Sequence, residues 1–63
     1  MSGLKLLSEY FSDDMKRRAT VTMELDSRKF RVADVSETGT AFSTIFDEED
    51  AAEEFAEEWV KPQ

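Results

Sequence analysis

Eight of the twelve residues from 47 to 58 are carboxylic acids: Asp47, Glu48, Glu49, Asp50, Glu53, Glu54, Glu57 and Glu58. Side chains of this type can hold a divalent cation, exchange protons, imitate the phosphates of a nucleic acid, or dock on a basic protein surface. Cation binding at Asp47-Glu48-Glu49-Asp50 has the wrong spacing, because a calcium loop alternates its ligands around a central Gly and closes with a distant Glu. Acid–base work by a pair such as Glu53 and Glu57 needs a pocket and a displaced pKa, and an exposed helix face supplies neither. A chain of 63 residues also has little volume for a cavity of about 300 Å³. The chain contains no His and no Cys, which excludes Ser-His and Cys-His nucleophile pairs, zinc fingers, redox pairs and histidine pH switches. The expectation is a non-enzyme with no catalytic residue, no metal ligand and no cofactor.

Charge places the remaining interest in one segment. Residues 1–46 hold seven basic and seven acidic side chains, whereas residues 47–63 hold eight acids against Lys61, so the net charge of -7 lies entirely in the second segment. The pairs Glu49/Glu53, Asp50/Glu54, Glu53/Glu57 and Glu54/Glu58 stand four apart and repel one another on a helix. Together they cost about 1 to 2 kcal/mol, in a domain whose whole stability is about 3 to 5 kcal/mol. A local rule broken without visible compensation marks a candidate functional feature. Asp50, Glu53, Glu54, Glu57 and Glu58 are therefore the candidate partner-binding residues, presented to a basic surface of another protein, where charge steers association. The competing reading is a solvated face that keeps a small protein soluble, its repulsion screened within about 8 Å at physiological salt.

The alternatives are a structural component of a larger assembly and, more sharply, a nucleic-acid mimic that inhibits a DNA-binding protein. The acids give one charge per ~2.3 Å of helix against one per ~1.7 Å in duplex DNA. A single helix offers one short strip where DNA offers two phosphate rows, so mimicry would require a dimer, and the sequence leaves monomer and homodimer equally open. Direct binding to DNA or RNA is disfavoured in an anionic chain. The basic groupings Lys16-Arg17-Arg18 and Arg28-Lys29 with Arg31 read as sheet-edge protection and charge balance, with a small anionic-ligand site as the alternative.

The elements that must carry these residues follow from periodicity. Ala19, Val21, Met23 and Leu25 alternate with Thr20, Thr22 and Glu24, predicting a strand with one buried face. Asp26-Ser27-Arg28-Lys29 predicts a turn into a second strand, Phe30-Arg31-Val32-Ala33-Asp34-Val35. Ser36-Glu37-Thr38-Gly39 suits a type I turn with Gly39 as the left-handed bulge residue, and Thr40 to Phe46 forms the next strand, with Phe42, Thr44 and Phe46 on one face. From Asp47 the period lengthens to about 3.6, and Ala52, Phe55, Ala56, Trp59 and Val60 recur on one stripe of an amphipathic helix. Asp47 is the expected N-cap, and Lys61-Pro62 supply a cation and a stop. Phe55 and Trp59 are the expected core anchors. Leu4, Leu7, Tyr10 and Phe11 fit a helical face, while Leu4, Leu6 and Tyr10 fit strand alternation. The segment is read as an edge strand that turns at Ser12-Asp13-Asp14 into a strand starting near Met15.

The fold class is thus α+β, a small antiparallel β-meander of three to four strands packed against one C-terminal amphipathic helix, as a single domain over residues 1–63. The layout of Leu6-Leu7-Ser8-Glu9-Tyr10-Phe11, then Lys16-Arg17-Arg18-Ala19-Thr20-Val21, a meander, and Asp50-Ala51-Ala52-Glu53 to Trp59-Val60 resembles small acidic proteins of tailed phages, especially those of marine cyanobacteria. The resemblance brings no activity and no functional residue. It implies a setting in which small phage proteins bind a host protein. Met1-Ser2-Gly3-Leu4-Lys5 lacks the basic and apolar regions of a signal peptide, and no apolar run approaches the roughly 18 residues of a membrane span, so a cytoplasmic location without membrane contact is expected.

Overall fold

Alternation of small apolar and polar residues over Arg18–Glu24 does produce a strand buried on one side, and the rest of the sheet is built outward from it. The computed structural model describes residues 3–61. Four strands, β1 (Leu4–Phe11), β2 (Arg18–Glu24), β3 (Phe30–Val35) and β4 (Ala41–Phe46), precede one helix, α1 (Glu49–Val60). The sheet is antiparallel and its strand order is β1-β2-β3-β4, a simple meander. The α+β expectation holds, with four strands.

Register defines the two faces. Val21 pairs with Val32, and Val32 with Thr44; Ala19 pairs with Asp34, and Asp34 with Phe42. These residues share one face, over which α1 lies, mainly across β2 and β3. The buried centre comprises Ala19, Val21, Val32, Ala52, Ala56 and Val60, with Leu7, Tyr10, Phe30, Phe46 and Trp59 packed around it. Small side chains at the contact let the helix approach the sheet closely, and the large ones close the rim.

Two connections show how local chemistry sets the register. In the β3–β4 turn the Gly39 N–H donates to the Ser36 carbonyl at 3.0 Å and the Ser36 N–H to the Thr40 carbonyl at 3.0 Å. Gly39 has φ 87°, the left-handed position expected of a bulge residue without a Cβ. In the β2–β3 turn Arg28 takes that position with φ 58°, and its N–H donates to the Glu24 carbonyl at 2.7 Å.

Several expectations need correction. β2 begins at Arg18, because Met15 (φ 61°) and its neighbours belong to the preceding turn. Between Leu6 and Ser8 the β1–β2 register shifts. A one-residue bulge exchanges the faces of a strand, so Leu7 and Tyr10 face the helix while Leu4 and Leu6 face away; the helical and strand-like readings of this segment both arose from that insertion. Asp47 is not the N-cap. Glu48 holds that position in an extended conformation without a side-chain capping bond, because Asp47 is drawn into an ion pair with Lys29, next to the Phe30–Phe46 pair. Phe55 and Trp59 are rim residues and the centre is Ala52, Ala56 and Val60; Phe55 is 36% exposed, its ring lying 5.4 Å from that of Phe46. Lys61 is extended and ends the helix, as the residue before a proline prefers; Pro62 itself lies outside the described residues. Among the described residues no helix is long and apolar enough to cross a membrane.

Candidate functional site

At about 100° per residue, burying Ala52, Ala56 and Val60 against the sheet turns Asp50, Glu54, Glu57 and Glu58 to the opposite side of α1. All four are exposed. Four of the five candidate residues are thus brought onto one stripe, and the fifth is not. Glu53 stands on the flank beside β1, half-buried, where the Tyr10 hydroxyl donates to its Oε1 and its Oε2 is buried without a hydrogen-bond partner among the described residues. That bond, reinforced by burial and by the charges of Glu53 and Glu57, raises the Tyr10 pKa above the ordinary phenol value. Glu53 therefore fastens the helix to the edge strand and is withdrawn from the exposed stripe.

The stripe is not uniformly anionic. Lys61 Nζ lies 3.1 Å from Glu58 Oε1 and 3.9 Å from Glu57 Oε1, and its ammonium pKa is raised, first by the hydrogen bond to Glu58 and then by the charges of Glu58 and Glu57. Exposed pairs of this kind contribute little to stability. Their effect is to leave Asp50 and Glu54 as the least compensated acids of the stripe. At the other end of the helix Glu49 and Asp50 occupy the first turn, where the macrodipole favours negative charge.

The C-terminal end of the site is positioned from the first turn of the sheet. Ser12, 4% exposed, donates through Oγ to Asp14 Oδ1 at 2.6 Å and accepts from the Arg17 N–H at 3.0 Å. The Ser12 hydroxyl, followed by the Lys16 N–H, holds the Asp14 carboxyl below its ordinary pKa. The turn thereby aims Arg17 at the helix end: Nη2 donates to the Lys61 carbonyl at 2.8 Å, and the guanidinium stands 6.0 Å from the centre of the Trp59 ring, at the reach of a cation–π contact. The helix has no basic residue in its own last turn, and Arg17 supplies the cation its carbonyls favour. No local pattern could have revealed this, since Arg17 and Lys61 are 44 residues apart. Beside the stripe, Arg17, Phe55, Glu58 and Trp59 line an open hollow of about 440 Å³, which places aromatic surface next to the acids.

Some of the other charged groups pair within the fold. Lys16 pairs with Glu37 at 3.5 Å and Arg31 with Glu24 at 2.9 Å. Asp34, on the helix-covered face, is only 3% exposed; its Oδ1 has no hydrogen-bond partner among the described residues, and burial pushes its pKa up. Among the described residues no group of three or more acidic side chains is arranged to hold a metal ion. Comparison with protein families, curated proteins and solved structures finds no match to this chain.

Proposed function

We propose that this chain is a small non-catalytic interaction protein whose α1 stripe docks on a basic surface of another protein. The observation that carries the reading is the arrangement of Asp50, Glu54, Glu57 and Glu58, which the core alanines turn together towards solvent. Their mutual repulsion serves no purpose in the isolated domain and is relieved when a partner supplies cations. The neighbouring hollow with Phe55 and Trp59 adds aromatic surface of the kind that anchors interfaces. In the setting implied by the resemblance to tailed-phage proteins, the partner is a host or phage protein met in the host cytoplasm.

The test compares the native chain with a variant carrying Asp50→Asn, Glu54→Gln, Glu57→Gln and Glu58→Gln, with Glu53 retained because it holds Tyr10. Both are immobilised and challenged with host lysate at low and high salt. The expected result is a partner retained by the native chain at low salt, lost on the variant and at high salt, and not displaced by duplex DNA. Displacement by DNA would turn the reading into nucleic-acid mimicry. Identical retention by both proteins, or none by either, would leave the stripe as solvated surface and end the proposal.

A further inference from the structure

Among the described residues no element covers the sheet face opposite α1. The register places Leu4, Leu6, Phe11 and Ile45 on it, with exposures of 58%, 57%, 46% and 46%, so half of the eight large hydrophobic residues exposed among the described residues lie on this one surface. Its charges are Glu9, Arg18, Glu24 and Arg31, two of each sign, on a chain whose net charge is -7. We propose that this face binds a second copy of the chain in a two-fold, sheet-on-sheet dimer in which β2 crosses its own counterpart.

The charge order along β2 supports that occupant. On the open face β2 reads Arg18, Thr20, Thr22, Glu24, opposite charges at the two ends with a pair of threonines between them. A two-fold axis at the level of Val21, lying between the sheets and across the strand, sets Arg18 over Glu24 of the partner subunit and repeats the contact reciprocally, as an isologous interface requires. The same operation brings Phe11 over Leu4 of the partner subunit, apolar against apolar at both ends of β1, and sets Glu9 over Leu6 of the partner subunit between them. Arg18 has no ion-pair partner among the described residues, and Glu24 already holds Arg31, so the contact would extend that pair into a network.

Electrostatics at long range favours this face over the helix face. Sheets pack about 10 Å apart, and each helix lies on the far side of its own sheet. The two acidic stripes are then roughly 30 Å apart, several times the ~8 Å over which exposed charges interact at physiological salt. Area sets the strength. Strands of six to eight residues at about 4.8 Å spacing and 3.4 Å rise make a patch of about 450 Å² per copy. The total of about 900 Å² falls below the 1,200 Å² of stable interfaces, which commits the proposal to a reversible dimer that dissociates on dilution.

Sedimentation equilibrium of the full chain, 7.2 kDa as a monomer, from about 10 µM to 1 mM tests it. The native protein is expected to approach twice its monomer mass at the upper concentration. Arg18→Glu and Glu24→Arg, each confirmed folded by its amide spectrum, should each weaken association at least tenfold, because either change sets like charges against each other twice. An equimolar mixture of the two variants should associate again to within about threefold of the native protein, since each then supplies the charge the other lacks. If Glu24→Arg does not fold, Leu6→Lys on the same face replaces it and must abolish the dimer while Glu54→Gln on the helix leaves it intact. A native chain that stays monomeric at 1 mM, a dimer indifferent to Arg18→Glu, or a mixture that fails to reassociate would overturn the proposal.

Discussion

The two faces of the sheet divide their apolar residues against expectation. The covered face buries small side chains, Ala19, Val21 and Val32, against Ala52, Ala56 and Val60, whereas the open face carries the larger Leu4, Leu6, Phe11 and Ile45 about half exposed. The difference shows that closeness of approach, more than size, decides what forms the centre of so small a domain. A helix can sit near a sheet only over short side chains, and the dense contact that results compensates for the modest area each contributes. Bulk goes to the rim of one face or to the surface of the other.

The sharpest way to break this contrast is to place one charge on each face. Ala56→Asp buries an unpaired carboxylate under the helix, at a cost of about 3 to 5 kcal/mol, comparable with the total stability of about 3 to 5 kcal/mol, and the circular dichroism of the variant at 25 °C should be that of an unfolded chain. Ala41→Asp, at an exposed position of the open face, should stay within about 0.5 kcal/mol of the native protein. Equal losses from the two would abolish the distinction. Rim and centre are separated next: Trp59→Ala should cost about 2 to 3 kcal/mol, at or below the low end of the range for a fully buried aromatic, measured by urea unfolding followed by circular dichroism.

A gain in stability smaller than the loss from Trp59→Ala is expected at Asp34, the one acid buried beneath the helix among the described residues. Its folded pKa is raised by burial, so the native state holds that proton more tightly than the unfolded chain, whose carboxylate titrates near 3.9. Ionised Asp34 therefore destabilises the fold at neutral pH, and the penalty disappears as pH falls through the raised folded value towards about 3.9. Asp34→Asn should gain about 1 kcal/mol at pH 7, with the gain shrinking towards zero near pH 4. An equal gain at both pH values would show that charge is not the cause.

Periodicity made most of this architecture legible. The alternation of Ala19, Val21 and Met23 and the three- and four-residue steps of Ala52, Ala56 and Val60 each report one buried face, and the Ser36-Glu37-Thr38-Gly39 turn was readable because its chemistry is local. What stayed hidden depends on partners distant in the chain or on a single inserted residue. The bulge at Leu7 reverses the sides of Leu4 and Leu6 without disturbing composition. Asp47 and Glu53 have the residue types for capping and for solvent exposure, yet Lys29 and Tyr10 claim them from other elements. Of the acidic stripe, Asp50, Glu54, Glu57 and Glu58 could be placed by helical geometry alone, while the moderating position of Lys61 and the clamp from Arg17 needed the tertiary fold.

The meander order also has a kinetic consequence. Each strand pairs with the next across a short turn, so the loops closed in forming the sheet are small and their entropic cost is low, a topology that belongs to the faster class of mixed domains. The helix alone must return over strands laid down earlier, and its clasp joins Arg17 to Lys61 across 44 residues. Zipping of neighbouring hairpins therefore comes first and seating of the helix last. The segment that carries the acidic stripe is also the one whose departure opens the domain.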